Sequence, residues 1–445
     1  MSHWSCKKLN MRGASNAPAG SAANVDSFAG DPFISVYNEQ LHVAYCSSNN
    51  EVWDVWCTPL PRVPTQWNPQ RIDRDGGVVP VRAGPSAGVY GDQHHFCYIR
   101  GITVFAGNDP TGIVYDAFYD GSSWHSQTID LPPAMYENFS LIPPMSNYPF
   151  LISLWNVSDQ QHFTGLCNAG DHYYGTTIMD AFYDGSSWHT QRLNNGDTGA
   201  PSAYSKPSGL LFRPTSLAGT SNPGQQHVAY RAGDGSIWDV WFDGVTGTPW
   251  KPQQLNNGGW TDAPPAAGGP TIWAVSIDAY DVYQDQLHFT YLAENGEIWD
   301  VWYDGPVNAW KKQKMNIDAG RAPYYTTDAP PASDAAANPA GLIAWNMVSG
   351  KITLEQHIAY PDRSGIIWDL WYDGGSAWHS RQINDGTTHA PGAIGNICLS
   401  HYSRVDTDGT VYGQLHCAWQ DRVGGIWDAW HDLEPLPLGG PGGRG

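Results

Sequence analysis

Seven histidines and seven aspartates recur along this chain in a fixed relation. An imidazole beside a carboxylate is a basic unit of acid–base, metal-binding and hydrogen-bonding chemistry. The histidines are His42, His95, His162, His227, His288, His357 and His416; each follows a Gln or Glu by two residues, and they are spaced 53, 67, 65, 61, 69 and 59 apart. The aspartates, Asp54, Asp116, Asp180, Asp239, Asp300, Asp369 and Asp428, sit in a phrase that reads VWDVWC, VYDAFYDG, IMDAFYDG, IWDVWFDG, IWDVWYDG, IWDLWYDG and IWDAWHD. In five units, those of His42, His227, His288, His357 and His416, the Asp comes twelve residues after the His. A third column is Trp4, Trp67, Trp124, Trp188, Trp250, Trp310 and Trp378, each followed six residues later by Asn or Asp.

Two kinds of chemistry suit this pattern. A His and an Asp on neighbouring strands can form a satisfied polar link that ties those strands together, and recurrence in every unit fits that structural role. The same pair can hold sugar hydroxyls when an aromatic face covers the apolar side of the ring. The aromatic is available, because Trp53, Trp238, Trp299, Trp368 and Trp427 directly precede the Asp in the five regular units, while Trp56, Trp241, Trp302, Trp371 and Trp430 follow it by two. Alternation along a strand sends these two sets to opposite faces. The candidate carbohydrate-binding sets are therefore His42, Trp53 and Asp54; His227, Trp238 and Asp239; His288, Trp299 and Asp300; His357, Trp368 and Asp369; and His416, Trp427 and Asp428. The second and third units have longer His–Asp spacings and carry Tyr115 and Met179 in place of the preceding Trp, so five intact sites are expected.

The elements that position these residues are short strands. Each unit of about sixty residues contains a weaker apolar segment, the His strand, the Asp strand and the Trp strand, all alternating with period two and joined by NN, GDG, ENG and DG turns. Seven such units predict an all-β, seven-bladed β-propeller with four antiparallel strands per blade. The last unit lacks its Trp strand, and WSCKKLN from Trp4 supplies it. Residues of about 1–12 are thus expected to complete blade 7 and close the ring, which removes two free sheet edges. One unit over 1–434 and a flexible Gly/Pro tail over 435–445 follow from this reading. The outer Trp column reads as packing between blades.

The phrase QHVAYRAGDGSIWDVWFDG, ending before an outer Trp, resembles the repeats of the fungal fucose-specific lectins of the Aleuria aurantia type and related bacterial propeller repeats. The resemblance implies fucose bound between blades by an Arg and a Glu twelve residues apart and an aromatic from a neighbouring blade. Here His227 stands at the Arg position and Asp239 at the Glu position. The same holds for His42 with Asp54, His288 with Asp300, His357 with Asp369 and His416 with Asp428. The lectins of that family have six blades, whereas seven are counted here.

Composition narrows the partners. The chain has 445 residues with 22 Trp, 23 Tyr, 49 Gly and 33 Pro, and 23 Lys and Arg stand against 43 Asp and Glu for a net charge of -20. That balance repels phosphate backbones, so no nucleic acid is expected. No apolar run spans a bilayer and no apolar h-region follows MSHWSCKKLN, so a cytoplasmic or non-classically released protein is expected, without membrane insertion. Seven scattered cysteines read as reduced structural thiols, and the sequons at Asn138 and Asn156 carry little weight without an export signal. VDTDG at Val405 and NNGDTG at Asn194 do not match a calcium loop and read as turns, so no metal and no cofactor are expected. Every acid, His and aromatic singled out is a repeated one, and there is no nucleophile elbow, HExxH or P-loop. The sequence reading is a multivalent carbohydrate-binding protein with glycan partners that is not an enzyme, with a protein-interaction scaffold carrying structural His/Asp pairs as the alternative and a propeller hydrolase behind that. A homodimer is compatible with it.

Overall fold

The computed structural model describes residues 4–21, 31–59, 66–73, 81–101, 112–129, 153–157, 160–168, 176–194, 198–214, 224–245, 248–279, 282–316, 327–332, 338–348, 351–375, 377–385, 388–406 and 408–437. Within them the strands form seven antiparallel sheets, the blades of a β-propeller. Blade 1 is typical: Phe33–Tyr37, Gln40–Cys46, Val52–Cys57 and Asn68–Arg71 pair in chain order. Each inner strand touches those of both neighbours, and these contacts run round to Ile394–Val405 of blade 7 against Phe33–Tyr37 of blade 1. The closing strand is Ser5–Lys8, antiparallel to Ile426–Asp432 with Ser5 opposite Trp430 and Lys8 opposite Trp427. Among the described residues no helix is long and apolar enough to cross a membrane.

The expected tail begins too early. Leu436 and Pro437 pair with Val411 and Thr410, because the second strand of blade 7 extends to Thr410 and leaves a free edge for them. Residues 438–445, Asn138 and the side chains of Asn156 and Cys167 lie outside the described set. The six described cysteines are free thiols, and burial pushes those of Cys46, Cys57, Cys97 and Cys417 upward.

Alternation gives each blade two faces that pack against different neighbours. In blade 1, Val43, Tyr45, Trp53, Val55 and Trp67 pack with Leu9, Ala418 and Ile426 of blade 7. The opposite face, with Ala44 and Val52, packs with Phe96, Tyr98, Ala117 and Trp124 of blade 2. The outer Trp thus lies in the layer shared with the preceding blade, as Trp250, Trp310, Trp378 and Trp4 do in blades 4 to 7.

Five junctions carry the same polar staple, which explains the Asn that closes the outer phrase. Asn256 of blade 4 accepts the Ile237 amide through Oδ1 at 2.6 Å and donates Nδ2 to the Pro264 carbonyl at 2.8 Å. That carbonyl also accepts the hydroxyl of Tyr291 from blade 5 at 2.8 Å. Asn10, Asn194, Asn316 and Asn384 act on Pro18, Pro201, Pro330 and Pro391 in the same way. The reaching group from the next blade is Tyr45, Tyr230 or Tyr360 and, into blade 7, the indole of Trp419. These junctions lead into blades 1, 4, 5, 6 and 7, the five with regular His–Asp spacing. Blades 4, 5, 6 and 7 turn their second hairpins through a left-handed glycine, Gly235, Gly296, Gly365 and Gly424. At Gly235, φ +80, a side chain would meet Pro265 of the joining segment at 2.7 Å. Asn256→Ala leaves several buried groups unpaired and is expected to cost about 2–4 kcal/mol by urea denaturation; a cost under about 1 kcal/mol would remove the staple from the forces holding the ring.

Candidate functional site

All seven His–Asp pairs form, and all are sealed. The Nδ1–H of each imidazole donates to its carboxylate: His42 to Asp54, His227 to Asp239 and His288 to Asp300 at 2.8 Å, His357 to Asp369 at 2.9 Å, His95 to Asp116 and His162 to Asp180 at 3.0 Å, and His416 to Asp428 at 3.1 Å. No histidine of the set is more than 4 % exposed and no aspartate more than 2 %. A third partner arrives from the outer strand, where Gln70, Gln127, Gln191 and Gln253 donate to Asp54, Asp116, Asp180 and Asp239. In five blades the residue two before the His meets Nε2, as Gln93, Gln160, Gln286, Glu355 and Gln414 do. The ring then stacks on the aromatic two after the Asp, Trp56, Phe118, Phe182, Trp241 or Trp302. These networks tie three strands of a blade together inside the layer shared with the next blade. The glutamines were legible as a column: five of the seven outer Trp residues carry Gln three positions on.

Blade 6 is the charged exception. Glu355 replaces the first Gln and Arg381 the last, so the imidazole of His357 lies between two carboxylates while Arg381 pairs with Asp369 at 2.8 Å. Burial works against every charge here. The Asp369 and Glu355 carboxylates nevertheless hold His357 above its ordinary range, and His357 and Arg381 hold Asp369 well below the carboxylate range. Arg381 also donates to His431 at 3.1 Å and lies over the Trp4 and Trp371 rings. Burial and the adjacent Arg381 depress His431 to about 4. Burial raises Asp428, which His416 only partly offsets.

The structure separates residues that the sequence reading grouped. Trp53 and Asp54 are adjacent in the chain, but Trp53 lies in the junction with the preceding blade and His42 and Asp54 in the junction with the following one. Trp238, Trp299, Trp368 and Trp427 likewise pack into the preceding junction, apart from their neighbouring Asp residues. The three-residue sets therefore do not converge on one pocket, because successive side chains leave opposite faces of a strand.

The five Trp residues do share one geometry. Each is half-buried, and its indole N–H is held by the second hairpin or its edge: Trp53 by Glu51, Trp238 by Ser236, Trp299 by Glu297, Trp368 by Asp362 and Trp427 by Asp421, at 2.9 to 3.1 Å. The outer-strand residue opposite is polar, being Arg71, Gln254, Lys314, Gln382 and Lys8 in turn. Between blades 4 and 5, Lys312 lies over the Trp299 ring and pairs with Asp262, next to Thr261 and the 63 % exposed Trp260. Aromatic faces flanked by charged and amide groups line these clefts.

A different polar set meets on the axis. Residues at the starts of the inner strands of blades 1, 4, 5 and 6, with Pro85 and Ser86 of blade 2 and Asn396 and Cys398 of blade 7, surround a cavity of about 210 Å³. Its wall includes Asp31, Lys206, Ser208, Asn338, Asn396 and Cys398. Asp31 accepts both the Asn396 amide N–H at 3.1 Å and Nδ2 at 2.7 Å. Burial pushes its carboxyl up to about 6 and lowers the Lys206 ammonium, which Asp31 partly offsets. Antiparallel order puts the start of each inner strand and the second hairpin at one end of the ring, so cavity and Trp clefts open toward the same end. No sequence signal singled out these residues, which are spread along the chain from Asp31 to Cys398. Among the described residues no group of three His, Cys, Asp or Glu is placed to hold a metal ion.

Fold and site together define a seven-bladed β-propeller with sealed polar links, repeated junction clefts and one axial cavity. No protein-family model matches the chain, and no curated protein matches it in sequence. Solved structures match in shape. AofleA from Arthrobotrys oligospora shares 12 % identity over 80 % of this chain and 87 % of its own, with a TM-score of 0.44. The Aleuria aurantia lectin, a six-bladed propeller, shares 12 % over 84 % and 99 %, with a TM-score of 0.42. The NanB sialidase of Streptococcus pneumoniae shares 9 % over 89 % and 83 %, with a TM-score of 0.46. The propeller is shown by the seven sheets themselves, and likeness at this level adds no argument about function. One expectation is corrected, that the chain is not an enzyme. A sialidase, an α-L-arabinanase and an ulvan lyase stand beside lectins among structures of this shape, so repeated columns without a linear motif do not exclude catalysis.

Proposed function

We propose that this protein binds carbohydrate at repeated clefts between its blades, with Trp53, Trp238, Trp299, Trp368 and Trp427 as the platforms. The observation that carries this reading is the fivefold recurrence of a half-buried indole whose N–H is tied back to its own blade. That arrangement presents a fixed apolar face beside polar groups, the combination a sugar ring needs. The His and Asp residues serve these sites from a distance by fixing the strand that bears the Trp. Fucose is the first sugar to try, on the resemblance of the repeats. Several weak equivalent sites gain useful strength on a surface that displays many sugars.

Calorimetric titration with mono- and disaccharides, guided by a glycan array, is expected to give a cleft stoichiometry near five. Trp299→Ala should lower it by one and leave the other sites unchanged. Absence of binding at millimolar sugar, or an unchanged stoichiometry in the folded Trp299→Ala protein, would sink the assignment.

A further inference from the structure

We infer that the axial cavity is a separate binding site, one per chain, for a neutral polyhydroxylated molecule about the size of a single sugar ring. The cavity differs from the junction clefts in its residues, its position and its number, and it does not depend on the proposal made for them.

The site is built. Asp31 is held by two hydrogen bonds from Asn396, and the Asn396 side-chain oxygen accepts the Asn338 amide at 2.8 Å, so three groups of the wall are locked to one another. Backbone comes close enough to make room for them. A Cβ at Gly395, φ +70, would lie 2.4 Å from Asp31 Oδ1, and one at Gly268 would lie 2.4 Å from Asn338 Oδ1. Glycine at these positions lets the polar side chains approach the axis where any other residue would push them off it. Ser208 is fixed by the Ile272 amide at 3.3 Å.

The donors and acceptors choose the ligand class. Lys206 lines the cavity and makes no ion pair among the described residues, which leaves its ammonium as a donor for a ligand, while Asp31 keeps acceptor capacity beyond Asn396. A hydroxyl both donates and accepts, so a polyol satisfies Lys206 and Asp31 together. A ligand carboxylate would meet Asp31, and a ligand cation would meet Lys206; a neutral ligand avoids both repulsions. The volume of about 210 Å³ holds one ring and little more.

Titration of the full chain with D-glucose, D-galactose, L-fucose and myo-inositol is expected to reveal, with at least one of them, a component of one site per chain. Lys206→Met and Asp31→Asn should each weaken that component by about tenfold or more, by removal of one charged hydrogen-bonding partner, and leave cleft binding intact. Trp299→Ala should do the reverse, so failure here and failure of the cleft proposal are told apart. Circular dichroism and the melting temperature establish that each variant is folded. The inference is overturned if all four polyols lack a one-per-chain component. It is equally overturned if the folded Lys206→Met and Asp31→Asn proteins keep that component unchanged.

Discussion

Deleting residues 1–10 is expected to open the ring and lower stability by 5 kcal/mol or more, the order of magnitude for losing two large buried side chains and a paired strand. Trp4 and Leu9 are buried, and Leu9 bonds the Ile426 carbonyl from the layer between blades 7 and 1. Asn10 accepts the Ile426 amide and donates to Pro18 and Gly424. Without this segment the strand Ile426–Asp432 becomes a bare edge and the 7/1 staple loses its centre. Hydrogen exchange should show the Ile426–Asp432 amides unprotected in the truncated protein, and a synthetic peptide of residues 1–12 should restore both protection and melting temperature. An unchanged melting temperature after deletion would show that the ring is closed by something else.

Asp369→Ala is expected to cost about 3–5 kcal/mol, the penalty for breaking a buried ion pair from one side. It leaves the His357 imidazolium and Arg381 facing one another with only Glu355 to balance them. Asp239→Ala removes the same residue from a blade whose outer partner is the neutral Gln253, so its cost should be smaller, about 1–3 kcal/mol. The pH dependence has a defined sign. Asp369 is held below its ordinary value of 3.8, so its contribution is present above that value and is lost as pH falls further. His431 is depressed from 6.5 to about 4, so its contribution is complete above 6.5 and is lost as pH falls toward 4. The wild-type protein should therefore lose stability below about pH 6.5, and the gap between it and Asp369→Ala should narrow below pH 3.8. Equal costs for Asp369→Ala and Asp239→Ala would show that the charged blade is no more strongly coupled than the neutral ones.

Much of the architecture was readable because a repeat proclaims itself. Alternation and turn residues marked the strands, the period marked the blades, and WSCKKLN marked the closing strand. The His–Asp pairing was also visible, since twelve residues across a hairpin bring the two side chains to adjacent strands. The residues of blades 2 and 3 departed from the pattern, and their pairs formed all the same, because the antiparallel register places His95 and His162 two positions from alignment with Asp116 and Asp180 as in the regular blades. The ladders on either side of the longer spacings are intact. Whether the chain also catalyses a reaction was not readable in this way, because an axial site is assembled from single residues of many blades.

The chain on its own determined seven units, their strand order, the closure and the polar pairs, all of them consequences of local periodicity. Tertiary structure decided which neighbour each face of a blade meets. Trp53 and Asp54, one peptide apart, consequently belong to different junctions, and the imidazole and carboxylate are sealed while the indole keeps part of its surface. The axial cavity likewise exists only after closure. Asp31, Lys206, Asn338 and Asn396 come from four blades and share no spacing, and the ring alone brings them within reach of one ligand.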